Sequence, residues 1–212
     1  MLTLKIVSIF AVNVFVLALM PGPDNIFVAI QSLSYGKKHG LATVLGLVSG
    51  CLVHTLLVAF GVSALIKNSE LIYSIIIVFG AAYLLYLAYK VYGSEIQIDL
   101  KRSNTPKLNL VQSYKKGVVM NVLNPKVGIF FLAFFPAFLF SDSISVSNQF
   151  IFLGLIFALI TFIVFSTIAL MASMLHKYSA TNSQLFWIKW IQISVFILIA
   201  FYILWSHFYS YF

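Results

Sequence analysis

The sequence predicts an all-α integral membrane protein: six transmembrane helices forming two inverted three-helix repeats, with the first helix of each half broken. Three observations carry this. Of the 212 residues, 62% are hydrophobic and 8% charged, where a soluble domain has roughly 25% charged. The apolar residues fall into six runs, each meeting the ~20 residues needed to span a bilayer. In the first and fourth runs a polar, proline-bearing stretch stands at membrane depth: Pro21-Gly22-Pro23-Asp24-Asn25 and Asn124-Pro125-Lys126. Irregular polar backbone survives at that depth only where it lines a cavity or is covered by protein.

The first run, about 6–34, follows Lys5 and imitates a signal peptide. Ala18 is the sole small residue near a usable cleavage position and Pro21 follows closely, so the segment is read as retained. Gly36-Lys37-Lys38-His39-Gly40 turns the chain into the second run, about 41–66, and Lys67-Asn68-Ser69-Glu70 into the third, about 71–92. A polar linker over about 93–113, holding Glu95, Asp99, Lys101, Arg102 and Lys107, separates the halves. The fourth run is about 114–140, the fifth about 148–174 beyond Ser141-Asp142-Ser143, and the sixth about 186–208 beyond Lys177 to Ser183. The chain is thus one transmembrane domain, repeat 1 over about 6–92 and repeat 2 over about 114–209.

Charge orients it. Threading six spans collects ten of the 13 basic residues on one side: Lys37, Lys38, Lys90, Lys101, Arg102, Lys107, Lys115, Lys116, Lys177 and Lys189. Lys5 and Lys67 fall on the other side, and Lys126 lies within a span. The positive-inside rule places the basic loops in the cytoplasm and both termini outside. The net charge of +8 therefore reads as orientation, and no nucleic-acid motif accompanies it. Trp187 and Trp190 near one end of the last run, with Trp205, Tyr209 and Tyr211 near the other, fit interfacial aromatic belts. A lone cysteine, Cys51, excludes an internal disulfide.

The two interruptions share a pattern. Gly22-Pro23-Asp24 and Asn124-Pro125-Lys126 each read as an N-cap, a proline at the first helical position, then a charged residue. Pro21, Pro23 and Pro125 break the helices, and each span restarts near mid-depth. With three helices per half, the restarted helices run in opposite directions and both N-termini face the centre, where free N–H groups and positive partial charge favour a carboxylate. Of the five acidic residues only Asp24 lies at membrane depth, and of the basic residues only Lys126. Each costs about 2.5–3.5 kcal/mol at a helix centre, so each needs a partner. An α-amino acid complements both charges. A structural Asp24–Lys126 bridge between two helices is the bland alternative. Gly22, Asp24, Asn25, Asn121, Asn124 and Lys126 are the candidate substrate-binding residues.

Gly46, Gly50 and His54 recur every four residues in the second run, with Gly61 beyond, and Gly80 opens a stripe with Tyr83 and Tyr86 in the third. Small residues at this spacing let helices approach closely, within one subunit or at a dimer seam, so these four glycines are read as packing positions. His54 is either a satisfied intramembrane histidine or part of a proton path; Asp24 and His54 are the candidates for proton coupling. Cys51 and His54 alone make a thin metal-ligand set, and no metal site or cofactor is expected. The Thr161, Ser166 and Thr167 hydroxyls are expected to bond back to their own helix or across helices, and Lys189 to snorkel.

The chain resembles the LysE/RhtB amino-acid exporters over nearly its whole length. The residues that carry this are Pro21 to Asn25, Gly46, Gly50, His54, Gly61, Gly80-Ala81-Ala82-Tyr83-Leu84, Gly117, Asn124-Pro125-Lys126, Phe130-Phe131 and Pro136-Ala137-Phe138. The resemblance implies a multi-pass permease of a bacterial cytoplasmic membrane that exports amino acids such as homoserine, threonine, leucine or lysine by proton antiport, as a homodimer among membrane lipid. One departure is that Gln192, Ser194 and Ala200 stand where the family's last span carries glycines. The same fold with a heavy-metal or inorganic-ion cargo is the alternative, needing Cys51, His54 and Asp24 to converge. An intramembrane enzyme lacks the clustered carboxylates, histidines or nucleophile motif it would use, and a passive channel does not account for paired broken helices.

Overall fold

Polar punctuation within apolar runs sets every helix boundary near the centre of this protein. The structure, a computed structural model, describes residues 2–20, 22–93, 109–174 and 182–209, and every regular element among them is helical. Helix α1 (Leu2–Leu19) and helix α2 (Pro23–Tyr35) form one broken apolar unit bent by 54°. Gly22 takes the N-cap of α2 in an extended conformation, its carbonyl accepting the Ile26 N–H at 3.0 Å, with Pro23 and Asp24 in the first turn. Pro21 lies outside the described residues. At the far end Gly36 adopts φ +88°, a left-handed value that favours glycine. It closes α2 onto the Ser32 carbonyl and opens α3 by accepting from the His39 N–H.

Helix α3 (Lys37–Leu57) widens into a π-helical turn at Val58–Val62 and continues as α4 (Ser63–Asn68). Lys37–Ile66 is one 30-residue apolar span, about 45 Å long against ~30 Å of hydrocarbon, so it accommodates a tilt. Ser69 caps α5 (Glu70–Tyr92), its side chain accepting from the Ile72 N–H. Helix α6 (Leu110–Val122) opens on a reciprocal capping box, Gln112 N–H to Asn109 at 2.8 Å and Asn109 N–H to Gln112 at 2.9 Å. It breaks at Leu123-Asn124, restarts as α7 (Pro125–Phe134) with a bend of 53°, and ends in a 3-10 turn at Phe135–Phe138. Helices α8 (Val146–Met174) and α9 (Asn182–Tyr209) complete the chain. Three helical stretches, Lys37–Ile66, Leu71–Tyr92 and Val146–Met174, are each long and apolar enough to cross a membrane; each bent pair qualifies as a unit, and α9 contains the shorter apolar stretch Ile193–Trp205. The central linker falls largely on residues 94–108, outside the described set.

Glycines decide how the helices meet. A Cβ at Gly46 would strike the Tyr114 carbonyl and lie 2.9 Å from the Val118 nitrogen, and one at Gly117 would strike the Thr43 carbonyl. The reciprocal contact presses the backbones of α3 and α6 together as a parallel pair. His39 Nδ1 and Ser113 Oγ, 2.9 Å apart, join the pair near its start. Gly50 receives the Asn121 side chain, and Gly80 receives Ala133, drawing α5 to α7. Gly61 departs from the packing expectation. It is exposed, with nothing within 4 Å of a Cβ placed there. The π turn holds an extra residue and so rotates Gly61 off the face that Gly46, Gly50 and His54 share.

The core is aromatic. Phe10, Phe131, Phe134, Phe135, Phe138 and Phe150 are fully buried, and Phe10 holds Phe134, Phe135 and Phe138 at centroid distances of 5.4, 5.4 and 5.3 Å. A second, smaller cluster forms around Val28, Val44, Leu47 and Ala169. Outside, Leu71, Phe60, Leu198 and Phe201 are exposed, the surface a lipid-facing bundle presents. Lys189 stands 5.7 Å over the Tyr92 ring.

Candidate functional site

The two breaks come together. Asn124 Nδ2 donates to Asp24 Oδ1 at 3.4 Å, across 100 residues of sequence. Around them lies a cavity of about 90 Å³. Gly22, Pro23, Asp24 and Asn25 line it from the first break, and Asn121, Asn124 and Val127 from the second. The starts of α2 and α7 both border it, so two positive helix ends serve the same space. Cys51 adds α3 to the wall. Thirteen residues of α3 separate it from Lys38 and twelve from Ser63, about 20 and 18 Å, so the cavity sits near the middle of the span.

Each break leaves carbonyl groups that need donors, and the structure supplies them. Asn25 Nδ2 donates to the Ala18 carbonyl at the end of α1 at 2.8 Å. On α6 the Asn121 carbonyl would take its helical bond from residue 125, but proline has no N–H. That carbonyl instead accepts the Asn124 N–H at 3.1 Å and His54 Nε2 at 3.2 Å. A carbonyl only accepts, so Nε2 carries a proton. The Asn121 side chain lies in the notch at Gly50, where an added Cβ would come within 2.6 Å of its Oδ1, and its Nδ2 reaches Cys51 Sγ at 3.6 Å.

Thus Gly22, Asp24, Asn25, Asn121 and Asn124 share one cavity, and Pro23 and Pro125 head the helices that frame it. Lys126 occupies the first turn of α7; its side chain lies outside the described residues. His54 is buried, directed at the Asn121 backbone and tilted against the Phe131 ring at 5.5 Å rather than lining the cavity. Gly46, Gly50 and Gly80 stand at helix contacts within the chain.

Sequence reasoning missed the aromatic part of the lining: Phe130 of α7, Phe157 and Phe165 of α8 and Phe196 of α9, with Thr161 of α8 beside them in the lining. Phe157, Phe165 and Phe196 carry no signal in a chain with 21 phenylalanines, and Phe130 entered only through the family resemblance. Thr161 gave a signal, since it is a polar residue near the midpoint of α8, with only apolar residues and Gly154 between it and Gln149. Its hydroxyl, and that of Ser166, is buried without a hydrogen-bond partner among the described residues, contrary to the expected bond within the helix or across helices; Thr167 does bond its own helix, to the Ile163 carbonyl at 2.9 Å.

The chain is similar to known membrane proteins. A leucine efflux protein of Enterobacter is 28% identical over 180 residues, covering 83% of each chain. A leucine efflux protein of Salmonella choleraesuis is 25% identical, again with 83% of each covered. An uncharacterized membrane protein of Vibrio cholerae is 30% identical over 80% of this chain and 77% of its own. No solved structure matches. Residues 15–207 match the LysE type translocators, and with the paired proline breaks inside that stretch the chain belongs to the LysE type translocator family.

Proposed function

We propose that this protein is a secondary exporter of amino acids whose cargo is a neutral zwitterion with an apolar side chain of leucine's size class. One observation carries the reading: the two breaks meet at a cavity lined by a carboxylate, by amides and by aromatic rings. The cargo ammonium pairs with Asp24. Its carboxylate is received at the start of α7, by the positive end of that helix and the charge of Lys126. Its side chain rests against Phe130, Phe157, Phe165 and Phe196. The two leucine efflux relatives support the same class of cargo. The inorganic-ion reading gains no support, because His54 is turned to the Asn121 carbonyl while Asp24 and Cys51 border the cavity.

The proposed arrangement is six spans in two inverted three-helix repeats, in a bacterial-type cytoplasmic membrane, with the basic loops cytoplasmic and both termini outside. Of the two candidates for proton coupling, Asp24 and His54, Asp24 is the one assigned to proton exchange. An ammonium and a proton compete for the same carboxylate: protonation on the outer side expels the cargo, and the proton leaves inward before the next cargo binds. The family resemblance also leads us to propose a homodimer, checked by the mass of the solubilised particle.

Inverted membrane vesicles with an imposed pH gradient test the core of this. Labelled leucine is expected to accumulate only when the lumen is acidic, and Asp24→Asn is expected to abolish that uptake at unchanged protein level. Uptake indifferent to the gradient overturns the antiport. Wild-type uptake by Asp24→Asn overturns the site.

A further inference from the structure

A second cavity lies under the loop after α7. Its wall includes Ile6 of α1, Ser63 of α4 and residues 139–147, with the hydroxyls of Ser141, Ser143 and Ser147 and the carboxylate of Asp142. Four separate elements place it on the same axis as the central cavity, in the same order. Along α1, Leu17 lines the central cavity, Phe10 and Val14 are fully buried, and Ile6 lines the second. Along α7 and its 3-10 turn the sequence is Val127 and Phe130, then Phe134 and Phe138, then Leu139 and Phe140. On α3–α4 it is Cys51, then Val58, Ala59 and Val62, then Ser63. On α8 it is Thr161, then Phe150 and Leu153, then Gln149 and Ser147.

One buried layer therefore divides two cavities, and its hub is Phe10, ringed by Phe134, Phe135 and Phe138 at 5.3–5.4 Å. The two irregular turns among the described helices fall in that layer: the π turn at Val58–Val62 and the 3-10 turn at Phe135–Phe138. Departures of this kind inside helices often mark hinges. A hydrogen bond of 2.9 Å between Ser63 and Ser147 joins α4 to α8 at the rim of the second cavity.

We propose that the second cavity is the release vestibule of the central site, a shallow polar binding station for the departing zwitterion, and that the Phe10 layer is the gate between them, closed in this structure. The assignment of cargo rests on the exporter reading; the path does not. A vestibule must bind weakly enough to let its occupant leave, and neutral hydroxyls with one carboxylate, at an open mouth, meet that need. It lies at the end of α3–α4 opposite Lys37 and Lys38, about 37 Å away by helical rise, and so on the face away from the basic loops.

Two reporter cysteines test this, each in a Cys51→Ser background: Ser143→Cys in the vestibule and Leu17→Cys in the central cavity. Intact cells are treated with a membrane-impermeant cationic thiol reagent. Ser143→Cys is expected to react from outside promptly, and Leu17→Cys slowly. Adding Phe10→Ala, or Phe138→Leu should that variant fail to reach the membrane, is expected to speed Leu17→Cys labelling at least about tenfold, equivalent to about 1.4 kcal/mol of lost closed-state packing. Reaction of Ser143→Cys from the cytoplasmic side alone overturns the vestibule. A Leu17→Cys rate unchanged in both gate variants, present at wild-type level, overturns the gate. Absence of amino-acid export with the labelling pattern intact would remove the cargo and leave the path standing.

Discussion

His54 is placed to do for the second helix break what Asn25 does for the first. The perturbation that isolates this role is His54→Leu, similar in volume but without a donor. It leaves the Asn121 carbonyl with the Asn124 N–H at 3.1 Å and removes the Nε2 bond at 3.2 Å. Hydrogen bonds between helices within a membrane contribute about 0.6 kcal/mol on average and up to ~1.7. This one is buried and joins two helices at a break, which puts the expected loss near the upper figure, about 1–1.7 kcal/mol. His54→Gln, which keeps a donor, is expected to lose less than half of that.

The decisive comparison uses Pro125→Ala. Alanine restores an N–H at the position from which the Asn121 carbonyl would draw its helical bond, so His54 becomes dispensable. Thermal or denaturant unfolding in detergent of the four proteins closes a double-mutant cycle, with an expected coupling of about 1 kcal/mol. Additivity within ~0.3–0.5 kcal/mol refutes the reasoning. Transport adds an independent check. If His54 positions the break rather than carrying the proton, His54→Gln retains a pH-gradient-dependent export; gradient-independent export by that variant would return His54 to the proton path.

Gly46→Ala drives a methyl group into the α6 backbone, where no side chain can yield, and is expected to cost about 1–3 kcal/mol and to lower export by displacing Asn121 and Asn124; Gly61→Ala, with nothing within 4 Å, is expected to be neutral or stabilising by up to ~1 kcal/mol. Equal unfolding midpoints for the two would contradict the assigned close approach. Gln149→Ala removes four hydrogen bonds that hold residues 140–144, at 2.7, 3.1, 2.7 and 2.8 Å. At ~0.5–1.5 kcal/mol net each, less what water recovers near the surface, the loss is about 2–4 kcal/mol, read as a lower unfolding temperature and faster protease cutting of that loop.

What was legible in the sequence was whatever departs from a uniform apolar background. The breaks at Gly22-Pro23 and Asn124-Pro125 could be read because proline and a capping residue have local, well-defined effects on a helix. Their meeting in space could be argued from span counting, and the Asn124–Asp24 contact at 3.4 Å bears on it directly. Gly46, Gly50 and Gly80 were visible as small residues at helical spacing. Gly61 was misread because a π turn shifts the helical face and leaves no mark in composition. The aromatic wall was invisible for a different reason: with lipid outside and protein inside, apolar side chains face both ways, and the helical pattern loses its contrast. Thr161, polar at mid-span, could be seen, but with Ser166 and Thr167 it was read as bonding to its own helix or across helices instead of lining the cavity.

The hydrogen bonds at the breaks also limit which parts can move. The first break satisfies itself within its own half, through Asn25 and the Ala18 carbonyl. The second depends on the other half, through His54 of α3, and that dependence is reinforced along the same interface by Gly46 against Gly117 and by His39 with Ser113. Helices α3 and α6 are therefore tied as one body: sliding them apart would break the His54 bond, for which lipid offers no substitute donor, and leave the Asn121 carbonyl with the Asn124 N–H alone. Motion that exposes the central cavity to alternate sides has to be found elsewhere. The contacts able to part without stranding a backbone group are the ring-on-ring contacts of Phe10 with Phe134, Phe135 and Phe138, since dispersion between aromatic faces is individually weak and carries no unpaired polar penalty. The strongest polar links thus tie the halves together on one side of the cavity, and the separable apolar ones close it on the other.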